Sequence, residues 1–134
     1  MNTGQLFDGF DPSKNEEETK ERWGETDAYK ESARRTRSYT KEDWQLIHAE
    51  NDALMEALAA QLRAGIAADD AKTLKLAERH RLHIDRWYYP CSPIRHAGLA
   101  QMYVSDERFT ATIDKYAEGL AQYLADAIQA GGQV

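Results

Sequence analysis

Apolar residues recur at helical spacing along most of the chain, and no stretch alternates apolar with polar residues as a half-buried strand does. The clearest helix starts after Thr40, a predicted N-cap, and ends near Ala64, where Gly65 supplies a stop. Its apolar stripe is Trp44, Ile47, Leu54, Leu58 and Leu62. Because Glu50 and Asn51 interrupt this stripe, we expect the middle of the helix to border a cleft or to lie at a surface edge.

Three further helical patterns follow. The first is capped at position 69 or 70 and runs to about position 89, and the second covers residues 93–104. The third begins at 105 or 106 and continues to the double glycine at 131–132, with Gly119 as a point where it divides into two helices. The pattern as a whole predicts an all-α protein.

The first 39 residues show a weaker pattern. Residues 1–10 have no period and are assigned to a tail or linker remnant, whereas residues 11–39 predict two short helices. Residues 40–132 then form the helical core of a single domain that spans residues 11–134.

The segment 11–39 has few apolar side chains with which to dock. Between positions 13 and 38 the only sizeable ones are Trp23 and Tyr29. Ordering a residue costs about 1–2 kcal/mol, so we predict that this segment is loosely held without a ligand and closes as a lid when a ligand supplies apolar surface. A permanently docked, charge-rich helical pair is the alternative.

Composition limits the classes of partner. The 134 residues are 42% hydrophobic and 30% charged, which suits one water-covered globular domain. The net charge of −6 has the wrong sign for direct nucleic-acid binding, and the sequence contains no helix-turn-helix, zinc-finger or glycine-rich phosphate motif. With no secretory or membrane-spanning stretch and a single cysteine, the chain is expected to be cytoplasmic, with no membrane contact.

The residues with the most evident chemistry surround that cysteine, Cys91. Pro90 ends the preceding helix, and Ser92 followed by Pro93 is a typical helix N-cap with a first-turn proline. Cys91 therefore lies just outside a helix N-terminus, which favours the thiolate modestly and makes the thiol reactive if it is exposed. A small buried apolar side chain is the alternative.

Aromatic and histidine side chains cluster near the same turn. We expect a largely apolar ligand pocket there, with three histidines as its few polar groups and Trp23 and Tyr29 contributed by the lid. The predicted pocket residues are Trp44, His80, His83, Trp87, Tyr88, Tyr89, Cys91, His96, Tyr103 and Phe109. Aromatic residues at helical spacing also form ordinary cores, so some of these belong to the core instead.

Two other kinds of site are compatible with these residues. His80, His83 and His96 with Cys91 offer ligands for zinc or copper, which suggests a metal or haem sensor, although no paired-cysteine pattern is present. Cys91 with His80 or His96 also offers a nucleophile and a base, but no glycine-rich oxyanion turn or third orienting residue accompanies them. We therefore predict no cofactor and no enzymatic activity.

Four segments together resemble the TipA-S domain, the drug-recognition module of certain MerR-type transcriptional activators. The run from Gly98 to Phe109 resembles that family's most recognisable stretch, and His96 follows Cys91 by five residues as it does there. The other matches are Ala77–Arg81 to A-E-x-H-R, Trp23–Tyr29 to W-G-x-T-x-A-Y and Tyr39–Trp44 to Y-T-K-E-D-W. The differences from the thiopeptide-binding prototype lie beside the cysteine.

The resemblance implies a globin-like helical bundle around a deep ligand cleft. It also implies a small-molecule sensor in which Cys91 adds to a dehydroamino acid of a thiopeptide antibiotic. DNA binding and homodimer formation through a coiled coil would belong to a part before residue 1, so this fragment is expected to be monomeric. A drug-sequestering protein acting by itself is the remaining alternative.

Overall fold

The computed structural model describes residues 27–131, and these residues form six helices and no strand. In chain order the helices are α1 (Asp27–Thr36), α2 (Lys41–Arg63), α3 (Ala71–Trp87), α4 (Pro93–Ser105), α5 (Glu107–Asp114) and α6 (Leu120–Gly131). The predicted all-α class is confirmed. The predicted tail, the first short helix and Trp23 lie outside the described residues.

The long helix α2 begins and ends where the sequence predicts. The Thr40 hydroxyl accepts from the Asp43 amide at 3.1 Å, and the Asp43 carboxylate accepts from the Thr40 amide at 2.9 Å, which together form a capping box. Ala64 is the C-cap, and Gly65 follows it with φ of +74°, a conformation that favours glycine. Both ends of α2 are therefore set by local chemistry.

The helices on either side of Cys91 are also capped locally. Asp70 caps α3 by accepting from the Lys72 amide at 3.0 Å, and Ser92 caps α4 by accepting from the Arg95 amide at 3.1 Å. The helix α3 ends at Trp87, about two residues before the predicted end. The turn of Cys91 is consequently a short connection between two capped helices.

The helix α6 lies at the centre of the packing and contacts α2, α3, α4 and α5. Gly119, with φ of +87°, separates α6 from α5 as predicted. The fully buried aliphatic side chains of the core come from three helices: Ile47, Leu58, Ile84, Leu120 and Leu124. Within residues 27–131 no helix is long and apolar enough to cross a membrane.

The helix α1 docks on α3 with little apolar surface. Ala28 and Ser32 are buried, and the Arg35 guanidinium donates to the Asp85 carbonyl at 2.7 Å. The Tyr39 hydroxyl, which follows α1, donates to the Trp87 carbonyl. These contacts show how the described half of the 11–39 segment is held, and its behaviour as a lid stays a prediction.

Core burial predicts the outcome of a matched pair of leucine truncations. Leu58 on α2 is fully buried, whereas Leu82 on α3 is 47% exposed. Leu58→Ala should lower the free energy of unfolding by about 2–5 kcal/mol because it leaves a cavity, and Leu82→Ala should lower it by less than about 1 kcal/mol. Urea unfolding followed by circular dichroism measures both. Equal losses would contradict the packing described here.

Candidate functional site

The turn that carries Cys91 is bound to both neighbouring helices through its main chain. The Asp85 carboxylate accepts from the Cys91 amide at 2.8 Å, and the Arg81 guanidinium donates to the Cys91 carbonyl at 2.7 Å. Arg95 on α4 donates to the Pro90 carbonyl at 2.9 Å. The position of the cysteine is therefore set by charged side chains.

The thiol of Cys91 is buried, with 1% of the residue exposed. Burial raises its pKa to about 11, the nearby Arg81 charge partly offsets that rise, and the Asp85 charge adds to it. The favourable effect of the α4 N-terminus is outweighed by desolvation. The exposure on which the reactivity of this thiol depends is therefore not present in this conformation.

A cleft of about 380 Å³ opens beside this turn, between α3, α4 and α6. We call it the α3–α4–α6 cleft. It is lined by Leu74, Lys75, Ala77, Glu78, Arg81, Pro93, His96, Ala127, Ile128 and Gly131. Aliphatic side chains make up much of its wall, and charged groups lie on the α3 side.

Two buried histidines meet at the wall of this cleft. His80 Nδ1 lies 2.9 Å from His96 Nε2, and the two residues are 1% and 4% exposed. One ring nitrogen must donate and the other accept, so the contact requires both rings to be neutral or to share one proton. Burial lowers both pKa values, that of His96 to about 4 with a further contribution from Arg81.

His83 belongs to a different surface. Its Nε2 lies 3.2 Å from the Ile47 carbonyl and 3.4 Å from the Glu50 carboxylate, and burial lowers its pKa. It lines a second groove of about 410 Å³ between α2 and α3, together with Glu50 and Arg86. The three predicted pocket histidines therefore do not share one site. His80 and His96 meet on one side of α3, and His83 lies on another.

The polar break in the α2 stripe has two structural explanations. Glu50 lines the α2–α3 groove and accepts from the Trp87 indole at 2.8 Å, so the expected polar cleft exists at that position. Asn51 is 1% exposed, and its amide lies 3.5 Å from the Tyr116 hydroxyl. The stripe is therefore interrupted by one residue that lines a cleft, Glu50, and by one buried polar residue, Asn51.

Most of the predicted pocket aromatics are core residues in this conformation. Trp87, Tyr88, Tyr89, Tyr103 and Phe109 are buried, and none of them lines either of the two clefts described above. Trp44 and Tyr29 are half-buried. The rings pack on one another, as in the Tyr103–Phe109 contact at 5.7 Å between centroids. Their contact with a ligand stays a prediction.

The metal hypothesis finds little support in the described part of the chain. Across residues 27–131, no group of three or more His, Cys, Asp or Glu side chains is arranged to hold a metal ion. His80 and His96 bind each other, and His83 faces α2. One nitrogen of each ring is therefore already bound within the protein.

Sequence analysis missed the side chains that hold the cysteine. Arg81 and Asp85 are four residues apart on α3, and Glu78 precedes Arg81 by three, so all three lie on one helix face. Arg81 bonds Glu78 with its Nε at 2.9 Å. The spacing of Glu78 and Arg81 predicts a local ion pair. It does not predict that this face of α3 contacts residue 91.

Comparison with family models and curated proteins gives a consistent result. A model of the TipAS antibiotic-recognition domain matches residues 16–130. The HTH-type transcriptional activator TipA of Streptomyces coelicolor is 50% identical over 126 residues, which cover 94% of this chain and 50% of TipA. The HTH-type transcriptional activator mta of Bacillus subtilis is 36% identical over 135 residues, covering 96% and 51%. The chain spans about half the length of these relatives.

Two solved structures are also similar. TipAS from Streptomyces lividans in complex with nosiheptide has a TM-score of 0.89 at 49% identity, covering 96% of this chain and 90% of that one. The antibiotic-binding domain of a TipA-class multidrug-resistance transcriptional regulator has a TM-score of 0.62 at 44% identity, covering 67% and 96%. The first likeness confirms the expected globin-like helical fold.

The buried histidine pair predicts a loss of stability in mild acid. The pKa of His96 is about 4 in the folded state and about 6.5 in the unfolded chain, so the unfolded state gains a proton that the folded state does not accept. Its contribution is fully present above pH 6.5 and is lost as the pH falls towards 4. From pH 7 to 5 the free energy of unfolding should fall by about 2 kcal/mol through this group.

Urea unfolding at the two pH values measures this loss. His96→Gln should show a smaller difference between pH 7 and 5 than the unsubstituted protein does. Leu82→Ala changes an exposed side chain that does not titrate and should keep the original difference. An unchanged pH dependence in His96→Gln would contradict the assignment.

Proposed function

Since the chain belongs to the TipAS antibiotic-recognition domain family, we propose that it is the drug-binding effector part of a MerR-type transcriptional regulator and that its ligands are thiopeptide-like compounds. The observation that carries this proposal is the likeness to TipAS in complex with nosiheptide, at a TM-score of 0.89 and 49% identity. The proposed role is recognition without catalysis.

The α3–α4–α6 cleft is the proposed binding site. Its volume of about 380 Å³ lies in the range of small-molecule sites, and its walls are largely aliphatic. The His96 ring in that wall is neutral at physiological pH because of its low pKa, and the bond to His80 fixes its orientation. A neutral ring suits the amide and azole groups of a thiopeptide better than a charged one.

The proposed covalent step uses Cys91. The thiol loses its proton, its sulfur forms a bond to the terminal carbon of a dehydroalanine, and the electron pair of the double bond moves to the α-carbon. That carbon then takes up a proton, so the thiol and the alkene form one thioether with no leaving group and no change of net oxidation state. Because the thiol is 1% exposed, the turn must open before the step can occur.

The proposed signal is closure of the N-terminal segment. Residues 11–39 would fold over the bound compound, with Trp23 and Tyr29 adding apolar contacts. A ligand shifts this equilibrium only by its difference in affinity between the open and closed states, and such contacts supply that difference. The contact between Arg35 and the Asp85 carbonyl shows that the described end of the segment docks next to the turn of Cys91.

DNA binding is assigned to another part of a longer protein. The net charge of −6 argues against DNA contact by this chain, and the curated relatives are about twice its length. We place the DNA-binding half and a coiled coil that forms the homodimer before residue 1, and we expect the present fragment to be monomeric. A cytoplasmic location agrees with this role.

Binding of nosiheptide tests the proposal. Heteronuclear NMR titration of the protein should show shifts at His96 and at the turn of Cys91, and mass spectrometry should show an adduct at Cys91 equal to the ligand mass. Cys91→Ser should still bind nosiheptide but should form no adduct, because its hydroxyl is a far weaker nucleophile. The absence of any shift at excess nosiheptide would refute the proposed function.

A further inference from the structure

Cys91 is held by two charged side chains that lie one turn apart on α3. Asp85 accepts from its amide at 2.8 Å, and Arg81 donates Nη1 to its carbonyl at 2.7 Å. Both main-chain polar groups of Cys91, its amide and its carbonyl, are thus held by one helix. Hydrogen bonds that involve a charged partner are the stronger kind, so this arrangement resists displacement of the turn.

Arg81 is itself fixed in place. Its Nε donates to Glu78 at 2.9 Å and its Nη2 donates to the other oxygen of the same carboxylate, which leaves Nη1 directed at the Cys91 carbonyl. The three side chains of Glu78, Arg81 and Asp85 act on one residue, and we call them the Cys91 latch. A two-point contact of this kind orients a guanidinium as well as neutralising it.

The sulfur of Cys91 is shielded from solvent in this conformation. With the main chain of Cys91 bonded to α3, the residue is 1% exposed, and its side chain packs in the core. Burial also raises the thiol pKa to about 11, which reduces the thiolate fraction at neutral pH. Arg81 and Glu78 also line the α3–α4–α6 cleft, so part of the latch lies within reach of a bound compound.

We infer that Arg81 and Asp85 are positioning residues that hold the Cys91 thiol closed, and that opening of this latch precedes covalent capture of a ligand. The inference deepens the proposed function, because capture by Cys91 rests on it. The burial of the thiol by the latch is a property of the free protein, so it can be tested without a thiopeptide.

The rate of alkylation by iodoacetamide tests the latch without any thiopeptide. Arg81→Ala and Asp85→Ala should each react at least about tenfold faster at Cys91 than the unsubstituted protein, because each loses a charge-assisted hydrogen bond in the closed state. Asp85→Asn should stay within about threefold, since an amide oxygen still accepts from the Cys91 amide. Asp85→Ala also leaves the residue 85 carbonyl available to Arg35.

Arg34→Ala is the matched control. Arg34 forms the same two-point ion pair with Glu31 on α1 that Arg81 forms with Glu78, and the contacts of that pair lie within α1. This variant should react at the original rate. Equal rates in Arg34→Ala, Arg81→Ala and Asp85→Ala would overturn the inference.

Low concentrations of urea separate latch opening from general unfolding. A reaction through local opening has a rate that is nearly independent of urea, whereas a reaction through the unfolded state accelerates with urea as the stability falls. The two latch variants should give urea-independent rates. Acceleration in step with global unfolding would assign their effect to lost stability and refute the latch.

A final arm with nosiheptide separates the latch from the proposed function. Asp85 does not line the cleft, so Asp85→Ala should form the Cys91 adduct faster while its affinity, measured in the Cys91→Ser background, stays the same. A lower affinity with an unchanged adduct rate would refute a positioning role. If nosiheptide does not bind at all, the proposed function fails, and the iodoacetamide rates alone decide the latch.

Discussion

Three titratable side chains are buried where α3 and α4, which both pack on α6, approach each other, and the rest of the site depends on that burial. His80, His96 and Cys91 are each at most 4% exposed. Desolvation disfavours their charged forms, so the histidines are neutral and the thiol is protonated at physiological pH. A junction of this kind can be apolar enough to bind a drug and still carry polar atoms that select it.

The charged residues around this junction have a complementary role. Arg81 and Asp85 bind the main-chain groups of Cys91 instead of entering the core, and Glu78 binds the Arg81 guanidinium. The same side chains border the α3–α4–α6 cleft or the turn of Cys91. The proposed ligand site and the proposed control of the thiol therefore share a single face of α3, and we expect occupancy of the cleft to affect the cysteine.

The sequence predicts the helices well because their ends depend on local chemistry. Thr40, Ser92 and Gly119 are caps or breaks whose preferences are intrinsic, and the structure places each of them at a helix boundary. The site is harder to predict, because it depends on contacts between distant residues. A spacing of three residues places His80 and His83 close together on α3, yet one binds His96 and the other faces α2. Burial of Cys91 follows from the same long-range packing, and its position just before α4 could not reveal it.

The central claim is that a thiopeptide binds in the α3–α4–α6 cleft beside Cys91. Intermolecular nuclear Overhauser effects in the complex of isotope-labelled protein with nosiheptide test it most directly. Binding in this cleft predicts contacts from the methyl groups of Ala127 and Ile128, which line it. Contacts confined to Ala53, Ala57 and Leu82, which line the α2–α3 groove, would contradict it.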